Sequence, residues 1–224
     1  MPRRTSAFTI AELLIALAIT AVIGLTVAGV AMALSRSYQH SEQYYRYLQS
    51  GRVASIRLQG SLRKSRLVTA SDASTLVLWA EDYNNDGQIN VSEVLFVYYD
   101  HGARELIERS TVFPDSMSAS VREMLDFTIP LSALSDPNVA TGPPAYESYD
   151  SKRLLAAYVE DFQVFCTDAP PFTKLVKFCL KVGGDGQFVT MHGASRLRAD
   201  RTEYVGEFGG EYVLYTTKVD PNSH

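Results

Sequence analysis

Two cysteines, four histidines and one tryptophan in 224 residues leave little material for a metal centre or a redox pair. Cys166 and Cys179 do not form a C-x-x-C spacing, and His40, His101, His192 and His224 are scattered without ligand spacing. No serine sits in a nucleophile-elbow context and no glycine loop precedes a helix to cradle a phosphate, so no enzyme is predicted. Excess positive charge is also missing. The net charge is −4 and the pI about 5.6, which excludes the overall basic field of a typical nucleic-acid binder and leaves only a local patch open. There is no low-complexity segment and no repeat at a solenoid period.

The most informative absence is of charge, which is missing altogether from Leu13 to Leu34. About 22 residues at roughly 1.5 Å per helical residue are enough to cross a hydrocarbon core of about 30 Å. No proline interrupts the run; Gly24 and Gly29 suit close helix packing or local loosening. Arg3 and Arg4 precede it and hold that end in the cytoplasm by the positive-inside rule. Glu12 is the anomaly. A carboxylate at the leading edge of a membrane segment costs on the order of 2.5–3.5 kcal/mol near the centre of the bilayer, so it calls for a partner. A cut after Ala7 would create an α-amino group on Phe8 about one turn from Glu12, and Glu12 of one subunit could neutralise that amine on the next.

Ala7 followed by Phe8-Thr9-Ile10-Ala11-Glu12-Leu13-Leu14-Ile15 resembles the cleavage and methylation motif of type IV prepilins and type II secretion pseudopilins. The resemblance implies a leader of residues 1–7 removed by prepilin peptidase, N-methylation of Phe8, and assembly through Glu12 with other pilin or pseudopilin subunits. It covers roughly residues 3–35. Ala7 stands where the family usually has Gly, and Ala11 where it usually has a large apolar residue. Two other readings remain: an uncleaved anchor, and a secretory signal peptide cut near Ala31-Met32-Ala33, although the apolar run exceeds a 7–15-residue signal core.

Removing the leader and the span 8–34 leaves about 190 residues, enough for one domain. Residues 35–67 read as the extracytoplasmic part of the same helix. Tyr38, Tyr45, Leu48, Val53, Ile56 and Leu62 approximate one apolar face, with a slip of phase. Arg46, Arg52, Arg57, Arg63, Lys64 and Arg66 make the other side basic: a solvated face first, a surface for acidic partners or lipid head groups second, and a nucleic-acid contact only weakly. Residues 68–224 read as a β-rich domain, with the period changing after 69–74, Thr75–Ala80, Val94–Tyr99 and Tyr212–Thr217 as strands, 135–152 as a loop, and a turn at Gly183-Gly-Asp-Gly186. The predicted class is α+β, a long N-terminal helix packed on a mainly antiparallel sheet. The layout is similar to that of the larger minor pilins and the J-type pseudopilin.

Between two of those strands lies Asp82-Tyr-Asn84-Asn-Asp86-Gly87-Gln88-Ile89-Asn90-Val-Ser-Glu93, which resembles the twelve-residue calcium loop of EF-hand and dockerin type. A hard cation takes six to eight oxygens, and this spacing offers Asp82, Asn84 and Asp86 at positions 1, 3 and 5, the Gln88 carbonyl at 7, Asn90 through water at 9, and Glu93 at 12. Gly87 supplies the sharp turn and Ile89 an apolar plug. The flanks read as strands, so the resemblance stops at the loop. The competing reading is an Asn/Asp/Gly turn that binds no metal. Finally, Cys166 and Cys179 fall in two strands separated by Pro170-Pro171. If those strands pair, an exported domain favours a disulfide over two separate thiols.

Two functions follow as expectations. The first is a minor pilin or pseudopilin, seated in the inner (cytoplasmic) membrane with its domain outside, then built into a filament. The second is a secreted or anchored calcium-dependent binding module whose N-terminus merely targets it.

Overall fold

A computed structural model describes residues 9–135, 148–184, 186–198, 201–215 and 218. The uncharged run becomes helix as expected: α1 spans Ile10–Lys64 without interruption, with Glu12 in its first turn and Arg63 and Lys64 in its last, the polarity that suits the helix dipole. Its apolar residues from Ile10 to Leu34 are exposed, and the helix is long and apolar enough to cross a membrane. The chain divides into two compact units, the first ending at Tyr45 and the second beginning at Arg46.

Within the second unit, the face of α1 that packs is Tyr47, Gly51, Ala54, Ser55, Leu58 and Leu62. This corrects the expected face: Val53 and Ile56 point to solvent, and on the first unit Tyr38 and Tyr45 are exposed. The spacing is still helical, but half of the positions carry small residues, which a search for large apolar side chains passes over. Their use is close approach. A Cβ added at Gly51 would lie 3.0 Å from the Met191 sulfur.

Ten strands follow. Leu67–Ser71 (β1), Thr75–Trp79 (β2), Val94–Asp100 (β3), Glu105–Thr111 (β4) and Asp150–Ala157 (β5) form an antiparallel meander in chain order. Val159–Cys166 (β6), Leu175–Gly184 (β7) and Gln187–Arg196 (β8) form a second antiparallel sheet, and Val205–Phe208 (β9) pairs with Glu211–Leu214 (β10). β1 begins where the helical period ends, in residues that the sequence pattern does not mark as a strand. It is ordered by a turn in which the Asp72 carboxylate accepts from the amides of Ser74 and Thr75, and this sets Leu67 opposite Trp79.

The five-stranded sheet is covered on both faces, which is why Leu76-Val-Leu-Trp79 is buried at every position. Leu76, Leu78, Leu95 and Val97 join Leu58 and Leu62 of α1 and Phe162, Val164, Val176, Phe178 and Leu180 of the second sheet in the main core. Val77, Trp79 and Val94 face the other way, onto Ile89, Leu131, Leu134 and Val205. Burying side chains of this size contributes about 1.5–3 kcal/mol each. The second, smaller core is what positions the loop after β2.

A self-neutralised carboxylate loop

Asp82 follows β2 and its side chain is fully buried. Its Oδ2 accepts from Arg66 Nη1 at 3.0 Å and from Arg201 Nη2 at 3.2 Å, while Oδ1 is buried with no partner. The two guanidinium groups lie 5.7 and 5.8 Å from the centre of the Trp79 ring, and that of Arg201 lies 4.9 Å from the Tyr204 ring. Arg66, read as part of the exposed basic stripe, is instead only 8% exposed, because α1 ends two residues earlier and β1 carries it inward.

The rest of the loop winds tightly. Asn85 and Gly87 have φ values of 59° and 76°, the latter in the region that glycine alone adopts freely. Asn84 Oδ1 accepts from the Asp86 amide at 3.0 Å, and Asp86 Oδ1 accepts from the Gln88 amide at 2.7 Å. Asp86 Oδ2 accepts from the side-chain amides of Asn84 and Asn90 at 2.7 and 3.2 Å. Ile89 is 1% exposed in the smaller core, the plug expected of it. Its carbonyl accepts from the Ile129 amide at 2.7 Å, and the neighbouring Asn90 bridges to Thr128.

Glu93 closes the loop, 2% exposed. Its Oε2 accepts from Trp79 Nε1 at 3.1 Å and from the Asn90 amide at 3.3 Å, and its Oε1 from the Tyr83 amide at 2.7 Å. Burial raises its carboxyl above the usual range, against the lowering effect of those three donors.

The donor set offers only oxygen, and the orphaned Oδ1 of Asp82 is a buried acceptor in want of a donor or a cation, so the chemistry fits a hard ion such as calcium. The side chains do not converge, however. Among the described residues no group of three His, Cys, Asp or Glu is placed to hold a metal, and the Asp82 carboxylate is already paired with two arginines. Arg201 could not have been found from the sequence: it stands 119 residues away, in no motif.

Of the other expected sites, Ala7 and Phe8 lie outside the described residues. Glu12 Oε2 accepts from the Thr9 amide at 2.9 Å and the Thr9 hydroxyl at 3.0 Å, while the Glu12 amide donates back to that hydroxyl at 3.3 Å. This is a reciprocal N-terminal cap that the apolar pattern concealed.

The expected disulfide is not formed, and both thiols are free. β6 and β7 do pair, but Cys166 stands opposite Val176 and Cys179 opposite Gln163. An offset of three residues puts the cysteines about 10 Å apart along the strands and on opposite faces of the sheet, beyond the roughly 7 Å limit for a bridge. Alkylation of the unfolded, unreduced chain is therefore expected to label both cysteines, and a result of no labelling would restore the bridge.

The exposed His101 ring lies 4.2 Å from the Tyr99 ring, tilted by 55°. No family model, no curated protein and no solved structure matches this chain.

Proposed function

We propose that the chain is a minor pilin or pseudopilin, a subunit of a type IV pilus or type II secretion filament, cut by prepilin peptidase before Phe8 and assembled through its N-terminal helix. The observation that carries this reading is the continuous helix from Ile10, whose apolar side chains from Ile10 to Leu34 have no protein partner and whose leading turn holds a single carboxylate, Glu12. Such a surface needs cover: lipid of the inner membrane before assembly, neighbouring helices after it. With Arg3 and Arg4 on the cytoplasmic side, the domain beyond Arg46 lies outside. Filaments sheared from cells should contain the chain, and its confinement to the membrane fraction would contradict the proposal.

The second reading, an anchored calcium-dependent binding module, is favoured by one observation, the orphaned Asp82 Oδ1 within an all-oxygen loop. Asp82, Asn84, Asp86, the Gln88 carbonyl, Asn90 and Glu93 would hold calcium there, and the ion would stiffen the loop. An affinity in the extracellular range of about 10⁻⁴–10⁻³ M is expected of a loop that is only partly preformed. Calcium binding is compatible with the filament reading as well.

A further inference from the structure

We propose that a cavity just past the C-terminal end of α1 binds a neutral, polyhydroxylated ligand, a saccharide of one or two rings. The site needs neither the filament nor calcium.

The first sign is a break in the pattern of β4. Side chains at alternate positions of a strand share a face, and on the α1 side Leu106 lies in the main core while Glu108 accepts from the Ser61 hydroxyl of α1 at 2.8 Å. The same alternation brings Ser110 to that face, opposite Leu95 of β3. A core-facing strand calls for apolar residues at 108 and 110, yet both are polar and Glu108 is only 7% exposed. Chains depart from their own pattern in this way at functional sites.

α1 ends at Lys64, and beyond its last turn this face of the sheet opens into a cavity of about 610 Å³. Ser61 and Lys64 form one wall, Tyr83 another, and Arg122 and Asp126, within and just after the short helix Ala119–Leu125 (α2), a third. The volume falls in the range of small-molecule sites, about 300–1,000 Å³.

The polar groups of the cavity are fixed but not saturated. Glu108 is held by Ser61 and Arg153, and the Asp126 carboxylate accepts from the Ser92 amide at 2.8 Å and the Ser92 hydroxyl at 2.7 Å. Each of these carboxylate oxygens has a further lone pair to offer. On the donor side, Arg122 gives Nη2 to the Pro114 carbonyl at 3.0 Å, while its Nε is buried without a partner. A ligand oxygen would satisfy it.

Charge selects the class of ligand. Glu108 is balanced by Arg153, and the other lining carboxylates, Glu81, Glu93 and Asp126, stand against Lys64 and Arg122. An anion would meet the carboxylates and an amine the two cations, whereas a hydroxyl group donates and accepts at once and suits both. The rim supplies a flat apolar surface as well. Tyr83 is 67% exposed, and its amide donates to Glu93 Oε1 at 2.7 Å, so its backbone is held while its ring faces outward. The C–H face of a sugar ring packs on the electron-rich face of such a ring.

The test uses the full chain in micelles of a phosphocholine detergent, which carries no sugar. Saturation-transfer NMR is run with glucose, galactose, mannose, N-acetylglucosamine and lactose, and with sodium acetate and putrescine as charged probes. At least one saccharide is expected to receive transfer, and Tyr83→Ala and Arg122→Gln are each expected to weaken its binding about tenfold, the loss of one aromatic contact or of one charge-assisted hydrogen bond. Tyr83 is a surface residue and α2 has no buried residue, so both variants leave the cores intact. Transfer to none of the saccharides, binding that both variants leave unchanged, or binding of acetate or putrescine in place of the sugars would overturn the proposal.

Discussion

Glu12→Ala is expected to eliminate the chain from sheared filaments while leaving it in the membrane fraction at normal abundance. The size of that effect follows from what Glu12 does and does not do within one subunit. Its intramolecular role is a single solvent-exposed cap with Thr9 at the end of the helix. That is too little to unfold a helix of 55 residues whose far end is anchored in a hydrophobic core. Complete loss of incorporation would therefore report an intermolecular partner, the methylated amine of Phe8 on a neighbour. Glu12→Gln separates the two roles. Gln can still close the cap, since the capping box accepts either residue, but it cannot neutralise an amine. Failure of Gln to restore incorporation identifies the charge as the requirement, and full restoration by Gln would assign Glu12 to capping alone.

The second large effect is thermodynamic. Asp82→Ala is expected to lower stability by about 3–5 kcal/mol, because it strands the buried Arg66 guanidinium, whose Nε is already without a partner, and releases Arg201. Against a typical total of about 5–15 kcal/mol this is a large fraction, and the urea midpoint of the full chain in detergent reads it directly. Replacing Arg66 by Met and Asp82 by Leu together should recover much of the loss, since an apolar pair leaves no uncompensated charge beside Trp79. A single Asp82→Ala effect below about 1 kcal/mol would mean that solvent reaches the pair and that the loop is not built around it.

Legibility in the sequence followed the range of the interactions concerned. The helix from Ile10 onward, strands β2 and β3 and the turn at Gly87 were readable because each depends on neighbours within a few residues: an uncharged run, β-branched and aromatic alternation, a glycine at a positive φ. The packing face of α1 was misread because Gly51, Ala54 and Ser55 contribute by being small, and smallness leaves no hydropathy signal. The cysteine pair failed on register. Pairing of β6 with β7 was foreseeable, but an offset of three residues decides whether two thiols meet, and nothing local encodes it. At the carboxylate loop the tight turn at Asn85 and Gly87 was readable, but the carboxylates of Asp82, Asp86 and Glu93 are not gathered as a metal group. The cations that hold Asp82 come from Arg66, which looked like a solvated helix residue, and from Arg201, which only the tertiary fold brings near.

Everything proposed for this chain as a filament subunit depends on one processing event, so the mass and N-terminal sequence of the mature protein, taken from its native membrane, are the most direct measurement. The account predicts a chain beginning at N-methyl-Phe8. An intact Met1, or a start at Leu34 after Ala31-Met32-Ala33, would contradict it and leave an anchored or secreted module in place of a filament subunit.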